Sequence, residues 1–173
     1  MLDAAGLVEK HRSRGALIDA NLLVPYLVGK TNKRRIRDFK PCDDFGVEDF
    51  DLLEELVEHL GKVFTTPHIL TEVSNLATKL NDKELSEFRR IYKLLVEQMD
   101  EFYDASRDVV ADAAFMPLGL TDAAIAMLQS RKLLVLTVDL NLWLALQRRG
   151  VDAVNFNHLR SSNWHREPGQ RLR

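Results

Sequence analysis

The chain has 173 residues, of which 46% are hydrophobic and 29% are charged. These values are typical of a soluble globular domain with one sizeable core, so we predict a single domain over residues 1–173. The net charge of −2 excludes a general electrostatic attraction to nucleic acids, so any such binding needs a local cluster of cations. The only cysteine, Cys42, excludes an internal disulfide, and the five scattered histidines lack the spacing of a zinc site.

The distribution of apolar residues predicts neither membrane insertion nor secretion. No apolar run reaches the roughly 20 residues that a membrane-spanning helix needs. Residues 1–14 lack the apolar centre of a signal peptide. We therefore expect a cytoplasmic protein with no membrane partner.

Hydrophobic periodicity in the first half of the chain predicts strands that alternate with helices. In chain order, the predicted elements are a strand at 15–19, helices at 21–28 and 51–60, a strand at 62–66 and a helix at 67–80. Pro67 suits the first turn of its helix because proline lacks a backbone N–H. Residues 30–50 are polar and contain Pro41 and Gly46, so we predict a surface insertion around 30–60.

The second half continues the same alternation. In chain order, the predicted elements are an amphipathic helix at 85–99, a very short strand at 102–103, helices at 107–115 and 122–131, a strand at 133–137, a helix at 141–149 and a strand at 153–156. Ser106 and Thr121 are candidate N-caps of the two middle helices. Residues 157–173 form a polar, basic C-terminal tail.

Short apolar strands that are each followed by a helix favour a mainly parallel sheet, because parallel strands need crossover connections. We therefore predict the α/β class, with a three-layer α/β/α sandwich around a mainly parallel central sheet. In that architecture, each helix that follows a strand begins at the carboxyl edge of the sheet, which is the edge where ligands bind.

Four acidic residues are expected near this edge. Asp19 ends the first strand, Glu72 lies one turn into the helix after the second strand, and Asp139 follows the strand at 133–137. Asp122 opens a helix and reaches the same edge only if the strand at 102–103 precedes its pair of helices. Two carboxylates about 5 Å apart repel each other by roughly 3 kcal/mol at an effective dielectric near 20. A hard divalent cation such as Mg²⁺ or Mn²⁺ would neutralise such a cluster.

The segments that carry these acids share an order and a setting with a known family. They read LIDANLL at 17–23, TEVSN at 71–75, LTDAAI at 120–125 and LVLTVD at 134–139. Together they resemble the four acidic motifs of PIN-domain ribonucleases, and the resemblance runs from about residue 16 to residue 156. It implies that Asp19, Glu72, Asp122 and Asp139 are the catalytic, metal-holding residues. By the same resemblance, Asn21, Thr137 and, more weakly, Asn75 are polar neighbours that orient ligands or water.

The family chemistry implied by this resemblance is hydrolysis of RNA phosphodiester bonds by metal-activated water, leaving a 5′-phosphate and a 3′-hydroxyl. Many small members are VapC-like toxins that an antitoxin peptide neutralises, and these are commonly homodimers. An antitoxin and a second copy of the chain are therefore expected partners beside RNA. The insertion around 30–60 is longer than in a typical toxin, which weighs against the antitoxin.

Local basic segments are the candidates for RNA contact. The most basic run contains Lys33, Arg34, Arg35 and Arg37 and follows the helix that carries Asn21. The alternative interpretation is a solvated loop. The tail residues Arg160, Arg166, Arg171 and Arg173 are weaker candidates, and Trp164 would either stack on a base or anchor the tail.

Two other functional classes stay open at this point. One is a catalytically silent PIN module that binds RNA or protein. The other is a phosphoaspartate protein, but such proteins usually place paired acids after the first strand and a lysine after a late one. Here Ala20 and Asn21 follow Asp19, and Leu140 and Asn141 follow Asp139. Each acid also has a structural interpretation as a helix cap, a turn residue or a solvated helix position.

Overall fold

The computed structural model describes residues 3–161, apart from the side chains of residues 129 and 130. It contains five strands, which are β1 (Ala16–Ile18), β2 (Val63–Thr65), β3 (Asp100–Glu101), β4 (Leu134–Thr137) and β5 (Ala153–Asn155). The helices of the first half are α1 (Ala4–His11), α2 (Ala20–Asn32), α3 (Val47–Leu60), α4 (Pro67–Ala77) and α5 (Asp82–Val96). Those of the second half are α6 (Ser106–Val109), α7 (Phe115–Leu118), α8 (Leu120–Met127), α9 (Leu140–Arg148) and α10 (Phe156–Ser161).

The five strands form one parallel sheet in the order β3-β2-β1-β4-β5. The predicted α/β class with a parallel central sheet is confirmed. From β1 the chain builds outward through β2 to β3, then crosses to the other side of β1 and builds outward through β4 to β5. The order of the strands therefore reverses between β1 and β4, and in open α/β sheets ligands bind at the carboxyl ends of the strands beside such a reversal.

Helices pack on the sheet in two groups. Helix α2 contacts α3, α4 and α5, whereas α8 contacts α6, α7 and α9. Because connections between parallel strands are right-handed, the helices between β1 and β2 and the helix between β4 and β5 lie on opposite faces of the sheet. This arrangement is compatible with a three-layer sandwich. Strands β1 and β4 are buried along their whole length, as covering on both faces requires.

Helix α2 is the central helix of its layer, since every residue from Leu22 to Gly29 is buried. A Cβ atom on Gly29 would lie 2.0 Å from the ring of Phe50 in α3. Glycine at this position therefore allows the two helices to pack closely. Pro25 lies inside the helix, but the helix continues to Asn32, four residues beyond its predicted end.

The predicted surface insertion around 30–60 is only partly right. After α2, two short 3₁₀ helices, Lys33–Asp38 and Lys40–Cys42, lead to α3. The segment is anchored in the core by four buried side chains, which are Ile36, Phe39, Cys42 and Phe45. Their regular spacing of three residues matches the three residues per turn of a 3₁₀ helix. The polar residues between them conceal this pattern from a search for helical or strand periodicity.

Several other predicted elements need correction. The predicted helix at 107–115 is two short helices, α6 and α7, and the N-caps are Ala105 and Gly119 instead of Ser106 and Thr121. Helices α1 and α10 were not predicted, and α10 occupies the start of the predicted tail. Residues Trp164, Arg166, Arg171 and Arg173 lie outside the described residues. Among the helices of residues 3–161, none is long and apolar enough to cross a membrane.

Candidate functional site

Asp19 lies directly after β1, at the point where the strand order reverses. Its backbone N–H donates to the carbonyl of Leu136 in β4 at 3.0 Å, which ties the residue to both central strands. Its side chain is 1% exposed and makes no cap hydrogen bond to α2, although Asp19 occupies the N-cap position. The interpretation of Asp19 as a helix cap therefore does not explain where its carboxylate lies.

The hydroxyl of Thr137 connects two of the predicted acids. Thr137 is fully buried at the end of β4, and its Oγ1 donates to Oδ2 of Asp19 at 2.8 Å. The same Oγ1 accepts a hydrogen bond from the backbone N–H of Asp139 at 2.9 Å. Asn21 reaches the same Oδ2 with its Nδ2 at 3.5 Å, the outer limit for a hydrogen bond. Thr137 and Asn21 thus occupy the orienting positions that the resemblance implies.

Asp139 is half-buried at the N-terminus of α9, and its Oδ1 accepts from the backbone N–H of Leu142 at 2.9 Å. Asp139 therefore has a structural role, although it caps a helix and is not the turn residue that the sequence suggested. The cap uses only Oδ1, and Oδ2 has no hydrogen bond to any described residue. One oxygen of Asp139 is thus left to act as a ligand at the carboxyl edge.

Glu72 and Asp122 complete the predicted set from two helices. Glu72 lies in α4 and Asp122 in the first turn of α8, and both are partly buried. Within residues 3–161, neither carboxylate forms a hydrogen bond or an ion pair. An acid in the first turn of a helix is favoured by the helix dipole, so the position of Asp122 is compatible with either interpretation.

The four acids lie within electrostatic reach of one another. Burial raises the pKa of Asp19 from 3.8 to about 6, against the lowering effect of the Thr137 hydrogen bond, and the charges of Glu72 and Asp139 raise it further. Burial also raises the pKa of Asp122 to about 7, followed by the charges of Asp19, Asp139 and Glu72. Glu72 and Asp139 thus act electrostatically on both Asp19 and Asp122, and helices α4 and α8, which carry Glu72 and Asp122, contact each other.

No cationic side chain among the described residues pairs with any of these four acids. Yet across residues 3–161 no three acidic, histidine or cysteine side chains stand close enough to form a ready-made metal cluster. The two observations are compatible, because carboxylates that repel one another favour separated side-chain positions when nothing positive lies between them. The residue types of the site suit a hard divalent cation. Its carboxylates lie farther apart than the ligands of a metal cluster would.

Two of the acids each line a cavity. One cavity, of about 520 Å³, includes Glu72 and Asn75 of α4 together with Thr121, the neighbour of Asp122. The other, of about 630 Å³, includes Asn21 and Asp139. Glu72 and Asp139 are therefore next to open space.

The predicted basic segment is largely neutralised by neighbouring acids. Lys33 pairs with Asp51 and Glu54 of α3, Arg35 with Glu84 of α5, and Arg37 with Glu48, as the distances of 2.7, 3.6, 3.1 and 3.8 Å show. Arg34 is exposed, and its guanidinium has no ion pair with a described residue. These contacts favour the interpretation of the segment as a solvated surface.

Lys40, which ends the predicted basic run of residues 30–40, differs from the other cations of this segment. It is exposed and lines the same cavity as Asn21 and Asp139. No ion pair to another described residue neutralises it. The sequence placed Lys40 in the basic run but did not single it out, because its position depends on the packing of the two 3₁₀ helices.

A scan against models of protein families, a search of curated proteins and a search of solved structures each find no match to this chain. The functional argument therefore rests on the residues and their geometry.

Proposed function

We propose that this chain is a divalent-metal-dependent ribonuclease with a PIN-like fold, which hydrolyses phosphodiester bonds of RNA at the carboxyl edge of its sheet. One observation carries the proposal. The acids Asp19, Glu72, Asp122 and Asp139 influence one another electrostatically without forming a closed cluster, burial raises the pKa of Asp19 and Asp122, and no cation within residues 3–161 pairs with any of the four. Uncompensated buried charge costs stability, so its presence here is evidence of a site that requires a positive ligand.

The residue types fit a hard divalent cation. The candidate ligands Asp19, Glu72, Asp122 and Asp139 all offer carboxylate oxygens, which Mg²⁺ and Mn²⁺ prefer over nitrogen and sulfur ligands. When bound, such an ion would supply positive charge for the carboxylates and the phosphate and would lower the pKa of water. The Glu72 and Asp122 side chains have no hydrogen bonds to described residues, so no such bond would have to break for them to turn toward an ion.

The chain's own residues then have separable tasks. Thr137 holds the Asp19 carboxylate by its 2.8 Å hydrogen bond and restrains the backbone of Asp139. Helix α9 fixes one oxygen of Asp139, which orients the other. Burial of Asp19 excludes bulk water from this side of the site. The scissile phosphate would lie between the two cavities, with RNA on either side.

The test is cleavage of a mixed pool of labelled RNAs in the presence of Mn²⁺, Mg²⁺ or EDTA. We expect cutting with a divalent ion, none with EDTA, and none by Asp19→Asn. Asp108→Asn is the matched control, because Asp108 is exposed and lies outside the site, with only a 3.9 Å contact to Arg107. Intact RNA with wild-type protein under every condition, together with no metal binding by calorimetry, would overturn the proposal.

One observation favours a second candidate, a PIN-like module that binds RNA or protein without hydrolysis. The acids do not form a closed metal cluster within residues 3–161. Calorimetric titration with Mn²⁺ distinguishes the two candidates. The nuclease requires metal binding that Asp19→Asn weakens, whereas the silent module binds RNA equally well with and without the ion. An antitoxin partner and a homodimer stay predictions from the resemblance, and a cytoplasmic location stays a prediction from the distribution of apolar residues.

A further inference from the structure

The cavity beside Glu72 has features that the hydrolytic site does not require. It measures about 520 Å³, and its lining combines one aromatic side chain with hydroxyl, amide and imidazole groups. The aromatic residue is Tyr103, whose side chain is 75% exposed. A single exposed aromatic ring needs no functional explanation by itself, but this one lines a cavity that also contains Glu72.

Tyr103 is held at the cavity by its neighbour. The ring of Phe102 stacks on Phe64 of β2 with 5.2 Å between the ring centroids, and its backbone N–H donates to the carbonyl of Thr65 at 3.0 Å. Arg131 covers the Phe102 ring with its guanidinium carbon 4.9 Å from the centroid. Because Phe102 is anchored on the sheet, the next residue is turned outward on a firmly attached backbone.

The polar lining offers hydrogen-bonding groups beside this ring. Asn75 lies one helical turn after Glu72 on α4, and its exposed carboxamide has no hydrogen bond to a described residue. His68 of α4 contacts the hydroxyl of Ser106 through Nε2 at 3.3 Å, which ties the two walls of the cavity together. A flat ring and an uncommitted amide match the two features of a nucleobase, its π-face and its polar edge.

We propose that this cavity binds one unpaired nucleobase of the RNA substrate, stacked on Tyr103 and contacted at its edge by Asn75. The proposal rests on the proposed function and adds to it a subsite for one base, formed by residues of the cavity that also contains Glu72. A base in this cavity places the adjoining phosphate beside Glu72, since that residue lines the same space. Paired bases cannot enter, because their edges are occupied and their faces are covered by neighbouring pairs.

The experiment measures binding without cleavage. The protein is the full chain with Asp19→Asn, and the probe is a single-stranded RNA hexanucleotide with one fluorescent purine analogue, whose emission falls on stacking. We expect quenching on binding, and Tyr103→Ala should abolish it and weaken the affinity about 10-fold, within the range for loss of one base-aromatic stack. Tyr103→Phe should retain both. Leu94→Ala, which removes another exposed apolar side chain on α5, is the matched control and should change neither.

Two results would overturn the base pocket. One is equal affinity and quenching in the Tyr103→Ala variant, as expected if the cavity instead accepts an aromatic side chain of a protein partner. The other is equal affinity for a fully paired duplex of the same sequence.

The outcomes also separate this proposal from the nuclease. If wild-type protein cuts no RNA with any metal but quenching still requires Tyr103, hydrolysis fails and the base pocket stands. If wild-type protein cuts single-stranded RNA and Tyr103→Ala cuts it with the same KM, the pocket fails and the nuclease stands.

Discussion

Partly buried acids occur in two kinds of surroundings in this molecule. Away from the candidate site several have a cationic partner, although Asp104 has none among the described residues. Arg160 holds Asp49 by hydrogen bonds of 2.7 and 2.6 Å, and Arg149 holds Asp112 at 3.1 and 2.5 Å. Arg149 lowers the pKa of Asp112. At Asp49 burial raises the pKa, but the hydrogen bonds and charge of Arg160 together with the Gly46 backbone N–H lower it overall. At the site, Asp19 and Asp122 have raised pKa values and no such partner within residues 3–161.

This difference identifies what the site lacks. Several carboxylates with a structural role have an arginine or lysine partner, as Asp152 has Lys10 at 2.6 Å. An acidic group left without a cation is unfavourable for stability alone, so it indicates a site at which the positive charge comes from outside the chain. The contrast between paired and unpaired acids predicts opposite responses to mutation, pH and metal.

The largest expected effect is on RNA cleavage and comes from introducing a cationic side chain into the candidate site. In Asn21→Lys the ammonium replaces an exposed amide whose nitrogen lies 3.5 Å from Asp19. It would compete with the metal, so we expect cleavage to fall by about 100-fold, the upper end of the losses seen when a neighbour of a metal ligand is changed. Cleavage of RNA at saturating Mn²⁺ measures this loss.

Asn21→Met is the control, because it has similar length and no charge. Its cleavage rate should stay within a factor of about 10 of wild type, since it removes only a marginal hydrogen bond. Equal losses in the lysine and methionine variants would mean that Asn21 itself, and not the missing cation, determines the activity.

The next effect is the pH dependence of stability without metal. The folded-state pKa values of Asp19 and Asp122, about 6 and about 7, lie above the ordinary value of 3.8. Their stabilising contribution is therefore complete below pH 3.8 and is lost as pH rises through about 6 and 7. At 1.36 kcal/mol for each pKa unit, Asp19 contributes about one unit and Asp122 about two between pH 5 and pH 8, so the loss of stability is about 4 kcal/mol at most; solvent screening of the partly exposed Asp122 makes it smaller.

Urea unfolding at the two pH values in EDTA measures this difference. Asp19→Asn should flatten it, because the variant has one less carboxylate to ionise, and added Mn²⁺ should restore stability at pH 8 in wild type. Greater stability at pH 8 than at pH 5 in EDTA would contradict the raised pKa values.

A paired acid should respond in the opposite way. In Arg149→Met the half-buried carboxylate of Asp112 loses its partner, whose side chain is 24% exposed. The cost should lie between that of exposed and fully buried ion pairs, at about 1 to 2 kcal/mol in the free energy of unfolding. The adjacent Arg148→Met is a matched control, since Arg148 is exposed and unpaired within residues 3–161, and should cost less than about 0.5 kcal/mol. Unchanged cleavage by folded Arg149→Met would complete the contrast.

The acids without a cationic partner could be predicted from the sequence as a group at one edge of the sheet. Asp19, Glu72 and Asp139 follow buried strands of a parallel sheet, and topology alone brings such positions to one edge. The prediction that Asp122 reaches the same edge depended on a very short strand, and β3 has only two residues. Most of the candidate site could therefore be predicted from composition and periodicity, because the direction of the strands in a parallel sheet determines where these residues lie.

The ion pairs of the other acids could not be predicted from the sequence in this way. Asp112 and Arg149 are 37 residues apart, and Asp49 and Arg160 are 111 apart, so only the packed helices bring them together. The same holds for the segment 33–45, in which buried residues at every third position anchor apparently polar chain. Ion pairs and 3₁₀ packing depend on tertiary contacts that local patterns do not encode.

The smallest predicted effect is on RNA affinity, and it compares Lys33, which already has an ion pair, with Lys40, which has none among the described residues. Lys40 lines the cavity of Asp139 without an ion pair to another described residue, whereas Lys33 contacts Asp51 at 2.7 Å. If RNA crosses this cavity, Lys40→Ala should weaken binding a few-fold and lower the slope of log affinity against log salt by about 1, as expected for one lost phosphate contact. Lys33→Ala should leave that slope unchanged, because its charge is already compensated. Titration of an RNA oligonucleotide at several salt concentrations, with Asp19→Asn to prevent cleavage, measures both. Equal slopes for the two variants would place the RNA away from Asp139 and confine it to the side of Glu72.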